Sequence, residues 1–195
     1  MTSDPLIIGF DTSAAHCAAA LLRGDDVLVS QAIDMTRGQA EELMPLLDKL
    51  LAGQSLSWQD IHVIGVGVGP GNFTGIRIAV SAARGLALAL GVPAIGVSTF
   101  EASLLGQPEG TLATVPAPRG QHYVLDTLTQ DGPLLSSDPL PENRRAVQPP
   151  AAAVLAENIA RIASSKADKT QARPAPLYIR AADAAPARDL PPPIL

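Results

Sequence analysis

Two short polar segments hold the residues best suited to chemistry. Asp11-Thr12-Ser13 closes an apolar run that begins at Leu6, and Gly69-Pro70-Gly71-Asn72-Phe73-Thr74-Gly75 closes another that begins at Ile61. A carboxylate at the end of a buried strand can hold a metal-bound phosphate, or it can cap its own turn through the side chain. Capping is the favoured role for Asp11, because no complementary ATP site accompanies it. The glycine turn leads into a helix, whose free N–H groups and dipole suit an anion. The dinucleotide spacing nevertheless fails, since its last position counted from Gly69 is Thr74, and the Walker spacing fails because no Lys-Ser/Thr pair follows Gly75. A tight strand-to-helix turn, with glycines permitting close packing, is favoured over phosphate binding. Asp11, Thr12, Gly69, Gly71, Thr74 and Gly75 are kept as positions of a vestigial phosphate loop.

The other reactive side chains form no recognisable set. His16, His62 and His122 are far apart in sequence and lack metal-ligand spacing, so no metal site is expected. Cys17 lies in an apolar strand and reads as inert core. Trp58 reads as a packing anchor ahead of a strand, and Arg77 as a solvated arginine. Ser, His and Asp all occur, yet there is no G-x-S-x-G elbow and no H-E-x-x-H.

The elements that must position these residues follow from periodicity. Leu6 to Phe10, His16 to Leu22 and Val27 to Ile33 read as three strands, the last two joined by the turn Arg23-Gly24-Asp25-Asp26. From Gln39 to Leu51 the apolar residues recur at three- and four-residue intervals, marking a helix with Pro45 inside it and Gly53 at its end. Ile61 to Val68 is a buried strand, and a second helix runs from about Ile76 to Leu90. The polar side chains of that second helix, Arg77, Ser81 and Arg84, occupy one narrow arc. Contact with a partner and burial within the chain are equally good accounts of so apolar a helix. Ala94 to Val97 is a strand and Thr99 to about Leu105 a short helix. Beyond Gly106 come strands at Thr111 to Val115 and Gln121 to Leu128, a turn-rich stretch, a helix from Ala151 to Ala163 and an Ala/Pro-rich tail. The natural division is near Gly106, giving an N-terminal lobe over 1–106 and a smaller C-terminal lobe over 107–195.

Composition sets the limits. With 195 residues, 47% hydrophobic and 3% aromatic, the core must be built from Ala, Val, Leu and Ile, which suits an α/β protein. A net charge of −5 without a Lys/Arg cluster disfavours tight nucleic-acid binding by this chain alone. One cysteine, an acidic N-terminal segment and an apolar helix interrupted by Arg77 and Arg84 lead to the expectation of a cytoplasmic protein without a membrane span.

Ile8-Gly9-Phe10-Asp11-Thr12-Ser13, the segment from Gly67 to Ile78 and Ile95-Gly96-Val97-Ser98-Thr99 together resemble the TsaB (YeaZ) family. The likeness is strong over the first hundred residues. It then thins to Ala117-Pro118-Arg119-Gly120, where the family commonly has Asp-Ala-Arg, and to Leu177-Tyr178-Ile179-Arg180, which looks like the family's C-terminal Tyr-aliphatic-Arg element. The resemblance implies an actin-like, ribonuclease-H-like fold of the ASKHA superfamily, from which this sequence departs in a second lobe shortened by a strand between Gly132 and Leu177. It implies a non-catalytic subunit of the bacterial assembly that forms N6-threonylcarbamoyladenosine in tRNA. The partners implied are TsaD, which transfers the threonylcarbamoyl group, the ATPase TsaE, and a second copy of the chain when it is alone. Contact with tRNA is implied only through the assembly, and ATP and metal are expected on TsaD, because Gln39 stands where TsaD has a metal histidine. On this reading Leu43, Met44, Leu47, Ile76, Ala79, Val80 and Ala83 form the interface with TsaD. An actin-fold phosphotransferase or a peptidase-like enzyme is the alternative.

Overall fold

The computed structural model describes residues 4–129, 132–167 and 172–179. Strand β1 (Leu6–Asp11) is buried along its whole length, as its unbroken apolar run requires of a strand covered on both faces. It pairs antiparallel with β2 (His16–Arg23), which pairs antiparallel with β3 (Asp26–Asp34). On its other side β1 pairs in parallel with β4 (Val63–Gly67), which pairs in parallel with β5 (Ala94–Val97). The resulting order, β3-β2-β1-β4-β5, is the ribonuclease-H-like arrangement of the actin-like class.

Side chains alternate across β1 with the period of a strand. Leu6, Ile8 and Phe10 enter a core shared with α1 (Gln39–Gly53) and α2 (Phe73–Leu90), whereas Ile7 enters a core on the opposite face. That second core is closed by α4 (Ala152–Lys166), through Leu155, Ala156, Ile159, Ala160, Ile162 and Ala163. Close approach of α4 depends on glycine. Gly9 and Gly65 are paired across β1 and β4. A Cβ on Gly9 would lie 2.6 Å from Ala156 O, and one on Gly65 would lie 2.9 Å from Ala163 Cβ. Small residues on both sides therefore let a helix rest directly on the sheet.

Helix α4, from the later part of the chain, packs on the first sheet. After α3 (Thr99–Leu104), strands β6 (Leu112–Pro116), β7 (His122–Asp126), β8 (Leu134–Ser136) and β9 (Ala146–Val147) form a second sheet in the order β8-β7-β6-β9. Helix α4 then returns to the first sheet. A cut at Gly106 would thus strip the N-terminal lobe of the cover on one face. Strand β9 falls within the turn-rich stretch from Pro139 to Pro150 and β8 just ahead of it, with Arg144 reaching Gly110 O and the Asp126 carboxylate to hold that stretch in place.

Six of the seven residues expected at a partner interface face inward. Leu43, Leu47, Ile76, Ala79, Val80 and Ala83 belong to the core between α1, α2 and the sheet; only Met44 is exposed, at 36%. The stripe at three- and four-residue intervals is the one that turns to the sheet, because burying each large aliphatic side chain contributes about 1.5–3 kcal/mol. Helix α2 has the length and mean hydropathy, 1.4, of a membrane span. Its buried side chains, Ile76, Ala79, Val80 and Ala83, lie in the core against the sheet.

Candidate functional site

The loop after β1 and the loop after β4 interlock at the head of α2. Asn72 caps that helix, its side-chain oxygen accepting from Gly75 N at 2.8 Å, so α2 begins three residues before the expected Ile76. Asn72 N donates to Ser13 O at 2.6 Å, and Thr12 Oγ1 donates to Gly75 O at 2.7 Å. Gly71 and Gly75 are needed for these contacts, since a Cβ would lie 2.2 Å from Ser13 O in one case and 1.9 Å from Thr12 O in the other. Gly69 has φ of 92° and follows the same logic through its conformation. Thr74, by contrast, is exposed at the outer side of the first helical turn.

Asp11 is fully enclosed and acts within its own loop. Its Oδ1 accepts from Ser13 N and Ser13 Oγ, both at 2.9 Å, and lies 2.7 Å from His16 Nε2. Its Oδ2 lies against Gly67, where a Cβ would be 1.9 Å away. The capping role read for Asp11 is what the geometry displays. The association with His16 was not legible, although a histidine five residues after an acid across a strand-to-strand turn is the pattern that could have revealed it. Ser13 gives its hydroxyl hydrogen to Asp11 and not to His16, so these three residues form no serine–histidine relay.

The remaining histidines stand apart: His62 Nδ1 accepts from Leu6 N at 3.1 Å, and His122 lies on β7. Cys17 is buried, and burial, helped by the charges of Glu42 and Asp11, pushes its thiol up to about 11. Trp58 packs against the first core and donates from Nε1 to Asp48 at 2.8 Å. Arg77 is not merely solvated. Its guanidinium lies 3.8 Å from the Phe73 ring centroid, and its Nε donates to Tyr178 OH at 2.8 Å, while the Phe73 and Tyr178 rings stack with centroids 5.0 Å apart. The C-terminal element expected at Leu177-Tyr178-Ile179-Arg180 is thereby fastened to α2, with Leu177 N donating to Val68 O; Arg180 lies outside the described residues.

Two surfaces result. Between the loops of the first sheet and the second sheet lies a cleft of about 830 Å³ lined by Ser13, His16, Gln39, Phe73, Tyr123 and Gln148, among others. On the opposite flank, α2 buries only Gly75, Ile76, Ala79, Val80 and Ala83 of its 18 residues. Leu88 is 87% exposed and a Cβ on Gly85 would meet nothing within 4 Å.

Residues 33–132, half of the chain, match the family model described as TsaD, tRNA N6-adenosine threonylcarbamoyltransferase. Fold and match together define a TsaD-related protein of the actin-like class. The tRNA threonylcarbamoyladenosine biosynthesis protein TsaB of Escherichia coli K12 is 33% identical over 123 residues, covering 60% of this chain and 52% of that protein. An uncharacterized protein of Mycobacterium tuberculosis H37Rv is 32% identical over 160 residues, covering 77% of this chain and 75% of its own. YeaZ from Pseudomonas aeruginosa superposes with a TM-score of 0.68 over 90% of this chain and 100% of that one, at 22% identity, a likeness of fold. The chain belongs to the TsaB (YeaZ) family. It spans about half the length of the curated TsaB proteins it matches.

Proposed function

We propose that this chain is a non-catalytic subunit in the formation of threonylcarbamoyladenosine in tRNA, and that it docks on a TsaD-type protein through the outer sides of α1 and α2. The observation that carries this reading is the outer flank of α2, where Ser81, Gly85 and Leu88 are exposed and combine small size with apolar surface; Met44 of α1 is exposed as well. Small residues allow a second helix to approach closely, and association is driven by removing apolar area from water. Two copies of the chain can pair through the same flank when the partner is absent. The non-catalytic role is supported by the enclosure of Asp11, whose Oδ1 is committed to Ser13 and His16. ATP and metal then reside on the TsaD-type subunit, a TsaE-type ATPase joins the assembly, tRNA is reached only through it, and the setting is the cytoplasm.

The test is reconstitution of the modification from a purified TsaD-type protein, a TsaE-type ATPase and this chain. Formation of the modified adenosine is expected to require the chain. Equal activity in its absence overturns the proposal.

A further inference from the structure

We propose that the cleft between the two sheets binds an uncharged nucleoside, with His16 Nδ1 accepting a hydrogen bond from an amino group of the base. The site is separate from the helical flank used for docking. Asp11 is completely buried and its Oδ1 already accepts two hydrogen bonds from Ser13. His16 Nε2, 2.7 Å from the same oxygen, is therefore the donor in that contact. In the neutral ring this fixes the proton on Nε2 and leaves Nδ1 as a lone-pair acceptor. Among the described residues no group donates to Nδ1, and it is not one of the buried polar atoms closed off without a partner. The side chain is 12% exposed and lines the cleft. A buried carboxylate thus orients an imidazole that lines the cavity, and its second nitrogen has no protein donor among the described residues.

The rest of the lining selects the ligand class. No Lys, Arg, Asp or Glu lines the cleft among the described residues, so a triphosphate would meet no cation there. Gln148 and Asn72 offer amides, and the Asn72 NH₂ remains for a ligand because its oxygen serves Gly75 N. Amide side chains both give and accept, as the edge of a nucleobase demands. Tyr123 adds an aromatic wall on which a flat ring can stack, whereas the Phe73 ring at the rim is already engaged by Tyr178 and Arg77. A volume of about 830 Å³ lies in the range of small-molecule sites. Without a Lys or Arg in the lining, a polyanionic RNA strand finds no side-chain cation to pair with, which favours the free nucleoside.

The experiment follows the histidine ring nitrogens of the full-length chain by ¹⁵N NMR, with His16→Gln assigning the His16 signal. The probes are adenosine, N6,N6-dimethyladenosine, Mg-ATP and a single-stranded oligoribonucleotide. Adenosine is expected to move the Nδ1 resonance in a saturable way, and dimethylation, which removes the donor, to weaken binding about tenfold. Mg-ATP and the oligonucleotide are expected to bind more weakly than adenosine. Absence of a saturable shift up to the solubility limit, equal affinity for the dimethyl compound, or tighter binding of either phosphate-bearing probe overturns the proposal. Should His16→Gln fail to fold, the two nucleosides compared on the unaltered protein still decide it.

Discussion

Gly85→Arg separates the docking flank from the fold. Gly85 lies inside α2, is exposed, and has open space where a Cβ would sit. Replacing a mid-helix glycine by a good helix former adds about 0.5–1 kcal/mol of stability, worth up to about 2–4 °C in Tm for a chain of this size. In the proposed assembly the guanidinium would enter the docking face next to the exposed Arg84, adding bulk and like charge where Ser81 and Gly85 leave room for a helix. An uncompensated charge buried at an interface costs about 3–5 kcal/mol, which corresponds to a loss of affinity of at least about a hundredfold. Ala83→Glu, two residues earlier, is the contrasting change, because Ala83 is wholly buried against the sheet. Its carboxylate would disrupt the core, and loss of pairing would report only unfolding. Thermal unfolding followed by circular dichroism, with calorimetric titration of each variant against a TsaD-type protein, distinguishes the two. Wild-type affinity in Gly85→Arg, or a Tm below that of the unaltered chain, would refute the reasoning.

Three further outcomes are expected. Gly9→Val should cost about 1–3 kcal/mol in urea unfolding, because its Cβ would press on Ala156 O and on Ala160 Cβ at 2.8 Å; an unchanged midpoint would show that α4 does not seat as described. Cys17, with a thiol pushed up to about 11, should resist an aromatic disulfide reagent at pH 8 until denaturant is added, and rapid labelling of the folded chain would contradict its burial. Burial opposes ionisation of Glu101, but hydrogen bonds from Lys166 and Ser98 outweigh it and hold the carboxyl below its ordinary value of 4.5. The stabilisation is therefore complete above pH 4.5 and is lost as pH falls through the lowered value. Lys166→Ala should shift the acid limb of the unfolding curve upward, and an unmoved limb would deny the pair a role.

The first lobe was legible because each element carries its own period. β1 is a continuous apolar run, and α1 repeats at three and four residues, so neither needed tertiary information. The inner and outer sides of α2 were not legible. With alanine, glycine and leucine all round the helix, the sequence marks the polar arc but does not say which of two apolar sides meets the sheet. The start of α2 was missed because the side chain of Asn72, and not the apolar pattern, sets it. Ser98 and Glu101 form a capping box at α3, a start signal that the S-x-x-E spacing carries in the sequence itself. Strands β8 and β9 are three and two residues long and are held by neighbours, which leaves too little pattern to read. The Asp11 and His16 pair was hidden for a different reason, as it depends on where a turn brings a strand residue back.

The glycine turn gains its meaning from the interlock and not from phosphate. Because Asn72 and Gly75 are bonded to Ser13 and Thr12, the first turn of α2 cannot shift without moving the loop that holds Asp11, and through it His16. The docking helix and the floor of the cleft therefore share one joint. Gly75→Ala would place a Cβ 1.9 Å from Thr12 O, about 1 Å inside the 3.0 Å limit of real Cβ contacts, and the opposing atom is backbone that has no rotamer to escape into. This variant should weaken pairing with the TsaD-type protein and also displace the His16 ring resonances. Gly85→Arg, remote from the joint, should weaken pairing and leave those resonances in place. A Gly75→Ala protein with unchanged affinity and unchanged ring signals would show that the two loops are not mechanically coupled.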